Sequence, residues 1–277
     1  MLVDSHCHLQ DPKFDGDRHE VIRQALLAGV SAAVIIGYDL ESSLRAVDIA
    51  DSVENLYAAI GVHPHDAKTV TPRDINALAR LADSSRVVAI GEIGLDFYRN
   101  LSPPETQRRA FREQLELARS LSLPVVVHAR EADEETFEIL ADHERTVLAD
   151  WPKDRPLGVM HCFAGDICLA LRYIEIGFVI SVAGTCTYPN AERTRAVAQG
   201  IPLRWMAVET DAPYLPPQSK RGRRNEPAYL VETVEHIAAL RGEAFSEVAE
   251  GTAMTAARLF GLGDIGEPAV QMARERS

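Results

Sequence analysis

The chain has 277 residues, with 29 Lys and Arg against 41 Asp and Glu, a net charge of −12. That length fits one or two domains, a single closed α/β barrel among them, and 46% hydrophobic with 25% charged residues excludes a disordered chain. The acidic total argues against a protein that coats polyanions, because phosphate contacts need a basic surface, but not against a local site that handles one phosphate.

In chain order, Leu2–Cys7 reads as a first strand and Asp17–Ala28 as the helix after it. The alternation continues with Ala32–Gly37 then Glu41–Asp51, Leu56–Val62 then Thr71–Ala82, and Val87–Gly91 then Pro104–Leu121, for which Ser102 offers a cap. Next come Pro124–His128 with Ala132–Ala141, Gly158–His161 with Asp166–Ile176, Phe178–Val182 with Asn190–Ala198, and Arg204–Glu209 with Glu226–Leu240. A closing helix spans Ser246–Phe260, with Gly261 as its C-cap. His143–Pro156 reads as a loop excursion.

Valine- and isoleucine-rich strands alternating with helices imply a parallel sheet covered on its outside. Eight such units predict an α/β fold, a single (β/α)8 TIM barrel with its chemistry at the C-terminal ends of the strands. An open doubly wound sheet would carry a Gly-rich turn after the first strand, where this chain has His6-Cys7-His8. No linker divides residues 1–263, and 264–277 reads as a loose tail. No apolar run reaches the roughly 18 residues of a membrane span, and the N-terminus lacks a secretory pattern. Cys7, Cys162, Cys168 and Cys186 form no CxxC pair, which predicts reduced thiols in the cytoplasm.

Five of nine histidines, at positions 6, 8, 63, 128 and 161, fall at or just past predicted strand ends. Side chains alternate along a strand, so His6 and His8 share a face and two imidazoles can chelate one ion, while Cys7 points into the strand–helix layer. Glu92, inside an apolar run flanked by glycines, is costly unless it is paired or bound to metal; Asp96 reads as loop or as support for a ligand. His128 and His161 end separate strands. Glu209 and Asp211 share a face after the last one: Asp211 closes a metal site, acts as base or caps a helix, and Glu209 orients a ligand histidine. His63 and His65 flank Pro64, either as substrate contacts or as a rigid turn. Arg130 and the run Lys220-Arg221-Gly222-Arg223-Arg224 are candidate anion contacts, or solvated cations.

Taken together, Asp4-Ser5-His6-Cys7-His8-Leu9, Gly61-Val62-His63-Pro64-His65, Gly91-Glu92-Ile93-Gly94-Leu95-Asp96, Val127-His128-Ala129-Arg130, His161-Cys162-Phe163-Ala164-Gly165, Glu209-Thr210-Asp211-Ala212-Pro213-Tyr214-Leu215 and Arg224-Asn225-Glu226-Pro227 resemble the TatD family of metal-dependent deoxyribonucleases, among the amidohydrolase-like barrels. The resemblance implies two divalent ions (Mg, Zn or Mn). His6, His8, Glu92 and Asp211 would hold one; Glu92 would bridge to the other with His128 and His161. Glu92 and Asp211 are then the catalytic carboxylates. Ala129 and Ala164 stand where serine is common in the family, and Thr255 where asparagine is; none removes a ligand. Wider relatives bridge their metals with a carboxylated lysine, but Lys13, Lys68, Lys153 and Lys220 all fall in predicted loops, which leaves Glu92.

The expected function is hydrolysis of DNA phosphodiesters, at ends or in short single strands, by hydroxide activated between two metals. His63, Arg130, Arg221, Arg223 and Arg224 would seat phosphates. DNA is the expected partner and no membrane is; the oligomeric state is open, a monomer being compatible. One alternative keeps the site and changes the bond to an ester or amide, as in a mischarged aminoacyl-tRNA. Another is a non-catalytic metal-binding or assembly protein.

Overall fold

A computed structural model describes residues 1–263; the predicted tail, 264–277, lies outside the described residues. Eight parallel strands follow one another in chain order around a barrel: β1 Leu2–Cys7, β2 Val30–Ile36, β3 Leu56–Ile60, β4 Val87–Asp96, β5 Val125–Arg130, β6 Gly158–Met160, β7 Phe178–Ala183 and β8 Met206–Glu209. The helices outside are α1 Arg18–Leu27, α2 Leu40–Ser52, α3 Pro72–Leu81, α4 Pro104–Leu121, α5 Asp133–Val147, α6 Ile167–Glu175, α7 Glu192–Gly200 and α8 Leu230–Arg241, with α9 Phe245–Phe260 closing the fold. The (β/α)8 barrel predicted from strand count and composition is the observed architecture.

Two apolar layers follow from side-chain alternation along the strands. Residues such as Cys7, Ala33, Ile35 and Ile90 face the helices. Val3, Ala32, Val34, Val126, Val179 and Ala207 face inward and pack with Ala253, Ala256, Leu259 and Phe260 of α9. That helix seals the N-terminal end of the barrel and ends at Gly261, whose φ of 64° suits a residue without a Cβ. Thr255 donates from its hydroxyl to the Leu203 carbonyl, 2.9 Å, tying α9 to the turn before β8.

Side chains stitch the seam between β8 and β1. The Asp4 carboxylate accepts from the Thr210 amide at 3.0 Å and its hydroxyl at 2.5 Å, and the Ser5 hydroxyl donates to the Val208 carbonyl at 3.0 Å. Burial pushes the Asp4 carboxyl up to about 7 against those Thr210 bonds.

The structure corrects three local expectations. β4 runs on to Asp96 because its register against β5 slips between Ile90 and Ile93 and then resumes. Such a bulge re-aims one side chain, here Glu92. Ser102 does not cap α4: Pro103 takes that position, and the Ser102 hydroxyl donates to the His65 carbonyl and accepts from the Lys68 amide. His143 is no loop residue, since α5 continues to Val147 on a buried face of Ile139, Leu140, His143 and Val147.

Candidate active site

The C-terminal strand ends open into a cleft of about 670 Å³ lined by His8, His63, Glu92, His128, His161 and Asp211, among others. His6 and His8 enter from the end of β1 and the residue after it, Glu92 from the β4 bulge, and His128 from β5. His161 and Asp211 come from just past β6 and β8. Gly94 permits this crowding: a Cβ there would stand 2.0 Å from the His128 carbonyl oxygen, and its φ of 138° is one side chains rarely adopt. Cys162 and Asp211 hold φ values of 44° and 58°, backbone strain of the kind concentrated at functional sites.

Two donor sets meet at the two oxygens of Glu92. In the first, His6 Nε2 lies 3.2 Å from His8 Nε2, 3.6 Å from Glu92 Oε2 and 3.7 Å from Asp211 Oδ1, while His8 Nε2 is 3.3 Å from the same Asp211 oxygen. Four ligands about 2.1 Å from a tetrahedral ion would stand roughly 3.4 Å apart, so this set fits a divalent cation. In the second, Glu92 Oε1 lies 3.0 Å from His128 Nδ1, 3.7 Å from His161 Nε2 and 3.4 Å from His63 Nε2.

Contacts at the far ring nitrogens decide which imidazoles offer a lone pair. His8 Nδ1 donates to the Ile36 carbonyl, 2.8 Å away. His161 Nδ1 faces Glu209 Oε1 at 2.8 Å. His128 Nε2 faces Asp96 Oδ2 at 3.1 Å. Each arrangement puts the proton on the outer nitrogen and turns a lone pair toward Glu92 or Asp211. His63 is reversed: its Nδ1 accepts from the His65 amide at 3.1 Å, so neutral His63 carries its proton on Nε2 and donates toward Glu92. His63 is thereby a proton-bearing group beside the second set, not one of its lone-pair donors.

Electrostatics cut across this division, because a ring whose pKa is raised keeps a proton that a cation must displace before the lone pair is offered. Burial works against the Glu92 carboxylate, yet His63 and His161 outweigh it and hold its pKa well below the ordinary range. Burial also lowers His161, but Glu209 and Glu92 overcome it and hold the ring up at about 10. His6 and His63 are driven down chiefly by burial. A cluster of buried carboxylates and imidazoles in close contact, with the rings split between raised and depressed pKa values, is the environment a multivalent cation relieves.

Asp96, expected on a loop or as support for a ligand, supports His128 from the end of β4, where it is fully buried and also bonds His65 Nε2 at 2.9 Å. Arg130 lines the cleft, its guanidinium 3.9 Å from the centre of the Tyr98 ring. Tyr38, Arg99 and Tyr214 line it too; Tyr214 lies in one of the stretches that carry the family resemblance, while nothing in the local sequence of Tyr38 or Arg99 sets them apart from ordinary loop residues. The basic run is dispersed. Arg224 pairs with Asp17 at 2.7 Å and Glu226 at 2.9 Å, over the Phe14 ring. Arg221 rests on Tyr188, Arg223 is exposed, and neither lines the cleft.

Residues 3–261 match the family described as TatD related DNase. The chain belongs to that family. It is 37% identical over 260 residues to the metal-dependent hydrolase YabD of Bacillus subtilis, covering 94% of this chain and 99% of that one. It is 39% identical over 269 residues to a protein of Erwinia amylovora named 3′-5′ ssDNA/RNA exonuclease TatD, covering 94% and 100%. The crystal structure of the TatD homologue YJJV from Escherichia coli superposes with a TM-score of 0.87 at 31% identity, covering 95% of this chain and 98% of that one. This TatD-family chain is accordingly a metal-dependent hydrolase acting on ester bonds. Among the described residues no helix is long and apolar enough to cross a membrane.

Proposed function

We propose that this TatD-family hydrolase removes nucleotides from the ends of single-stranded DNA, with two divalent ions (Mg, Zn or Mn) seated in the cleft. The observation that carries the reading is the position of Glu92, with one oxygen in each donor set. His6, His8 and Asp211 complete the first set, and His128 and His161 the second. Two ions so held would make a nucleophile from water near neutral pH and neutralise the phosphoryl oxygens.

The chain's own groups supply the rest. Asp211 accepts a proton at Oδ1, and the Nε2 proton of His63 faces the cleft where it can meet a phosphate or leaving oxygen. Glu209 and Asp96 fix the rings of His161 and His128. Arg130, stacked on Tyr98, holds a phosphate; Tyr214, with the Lys13 ammonium 4.3 Å from its ring centre, also lines the cleft. Tyr214 is 42% exposed on the cleft wall, and a ring so placed stacks on an unpaired base, which favours single strands over duplex. Arg221 and Arg223 would meet the strand further out. The setting is the cytoplasm, suited to four unpaired thiols.

The test is hydrolysis of 3′-labelled single-stranded DNA, blunt duplex DNA, RNA and an aminoacyl ester, after chelation and after adding back Mg, Mn or Zn. The expected result is metal-dependent release of mononucleotides from the single strand, with duplex at least about 10-fold slower. Turnover of the aminoacyl ester alone, or activity that survives chelation, overturns the proposal.

A further inference from the structure

A second concavity, about 460 Å³, lies at the opposite end of the barrel, against the residues that precede β6, β7 and β8. It contains both tryptophans of the chain, Trp151 and Trp205. Each is paired with an arginine: the Arg155 guanidinium lies 5.5 Å from the Trp151 ring centre and that of Arg258 lies 5.3 Å from Trp205. The pairs are fixed by the backbone. Trp151 Nε1 donates to the Arg155 carbonyl at 2.9 Å, Arg155 Nε to the Leu259 carbonyl at 3.1 Å, and Arg258 to the Arg204 carbonyl. Arg258 Nε is buried without a partner.

Lys153 and Arg204 complete a set of four cations here. Among the described residues no carboxylate lies within ion-pair distance of any of them, in contrast to Arg108, Arg172, Arg224 or Arg241. Three acids, Glu144, Asp154 and Glu175, share the walls, so the groove carries 4 − 3 = +1 in a protein of net −12.

We propose that this groove binds a nucleoside monophosphate. Guanidinium groups immobilised on indole faces present planar donors that clamp a phosphate in bidentate fashion, and a nucleobase extends an Arg–Trp stack by one more plane. The volume suits one nucleotide. The acids on the walls repel a continuing polyanion, so the ligand is a monomer and not a strand. The ligand class follows from the groove alone and holds whether or not the cleft is a nuclease.

With both tryptophans in this groove, fluorescence excited at the red edge of indole absorption reports on it selectively. The full-length protein is titrated in chelator with deoxyadenosine monophosphate, deoxyadenosine, inorganic phosphate and a short oligodeoxynucleotide. The expected result is a saturable change with the monophosphate, at least tenfold weaker with the nucleoside and with phosphate, and no tighter with the oligonucleotide. Lys153→Ala, on an exposed loop, and Arg258→Gln each weaken the response at least threefold, while metal-dependent hydrolysis and Tm in chelator stay within error for Lys153→Ala. Loss of the response in Glu92→Gln, an equal response to deoxyadenosine, or no saturable change overturns the proposal.

Discussion

The two ends of this barrel spend their buried positions in opposite ways. At the C-terminal end, His6, His8, His63, His161, Glu92, Glu209 and Asp211 crowd together, all of them buried. At the N-terminal end the same strands contribute valines and alanines, closed by Leu259 and Phe260 of α9. Removing charges from water costs several kcal/mol per group unless partners compensate, whereas burying a leucine or valine side chain contributes roughly 1.5–3 kcal/mol. The division teaches that the floor carries the stability and frees the upper end to hold a charge cluster that no folding criterion would select.

The largest effect should come from Glu92. Glu92→Gln keeps the volume and the β4 bulge but removes the charge shared by the two donor sets. Hydrolysis should fall by at least ~10³-fold, with Tm in chelator shifted by only a few degrees. A collapse of Tm would show that the cluster is structural and would break the comparison. The floor should answer in reverse. Leu259→Ala opens a cavity between α9 and the barrel wall, and should cost about 3 kcal/mol in denaturant unfolding with kcat for the surviving folded fraction unchanged. A floor variant that lost turnover without losing stability would sink the division from the other side.

How much of this was legible in the sequence divides along the same line. Strand and helix order was readable because most strands are short runs rich in Val, Ile and Ala and alternate with longer stretches of helical periodicity. The histidines and Glu92 stood out because polar groups at the ends of apolar strands are expensive. Asp96 was obscured, since reading β4 to its true end requires the bulge, and a register slip leaves no mark on composition. The protonation of His63 depends on an amide two residues away, and Tyr38 and Arg99 reach the cleft only through loop geometry. The Lys220–Arg224 run is less free than its local charge count suggests: Glu226, two residues on, and Asp17, far off in the chain, pair with Arg224, and Glu232 pairs with Lys220; the pairing with Asp17 cannot be seen in a local charge count. His143 was assigned to a loop because the polar residues around it hide the helical face it occupies.

His143 is a histidine buried without the carboxylate contacts of the cleft. Burial lowers His143 to about 4, with Glu116 opposing and Arg119 assisting, whereas Glu209 and Glu92 hold His161 up at about 10. The sign of the pH dependence follows by linkage. Above the ordinary value of 6.5 the His143 ring is neutral in folded and unfolded chains alike and contributes no slope. Between there and about 4 the unfolded chain takes up a proton that the folded chain refuses, so stability falls as pH falls, by about 1.4 kcal/mol per unit, toward a total of roughly 3–4 kcal/mol. Below about 4 the folded ring protonates as well and the loss stops. His143→Gln removes this contribution whatever constant destabilisation it adds. The measurement is therefore the difference in unfolding free energy between pH 7 and pH 5, in chelator, taken for both proteins. The variant should lose about 1–2 kcal/mol less than the parent over that interval, because the cleft groups titrate equally in both and cancel. Equal losses would mean that His143 is solvated in the folded state and that burial alone does not separate it from the histidines of the cleft.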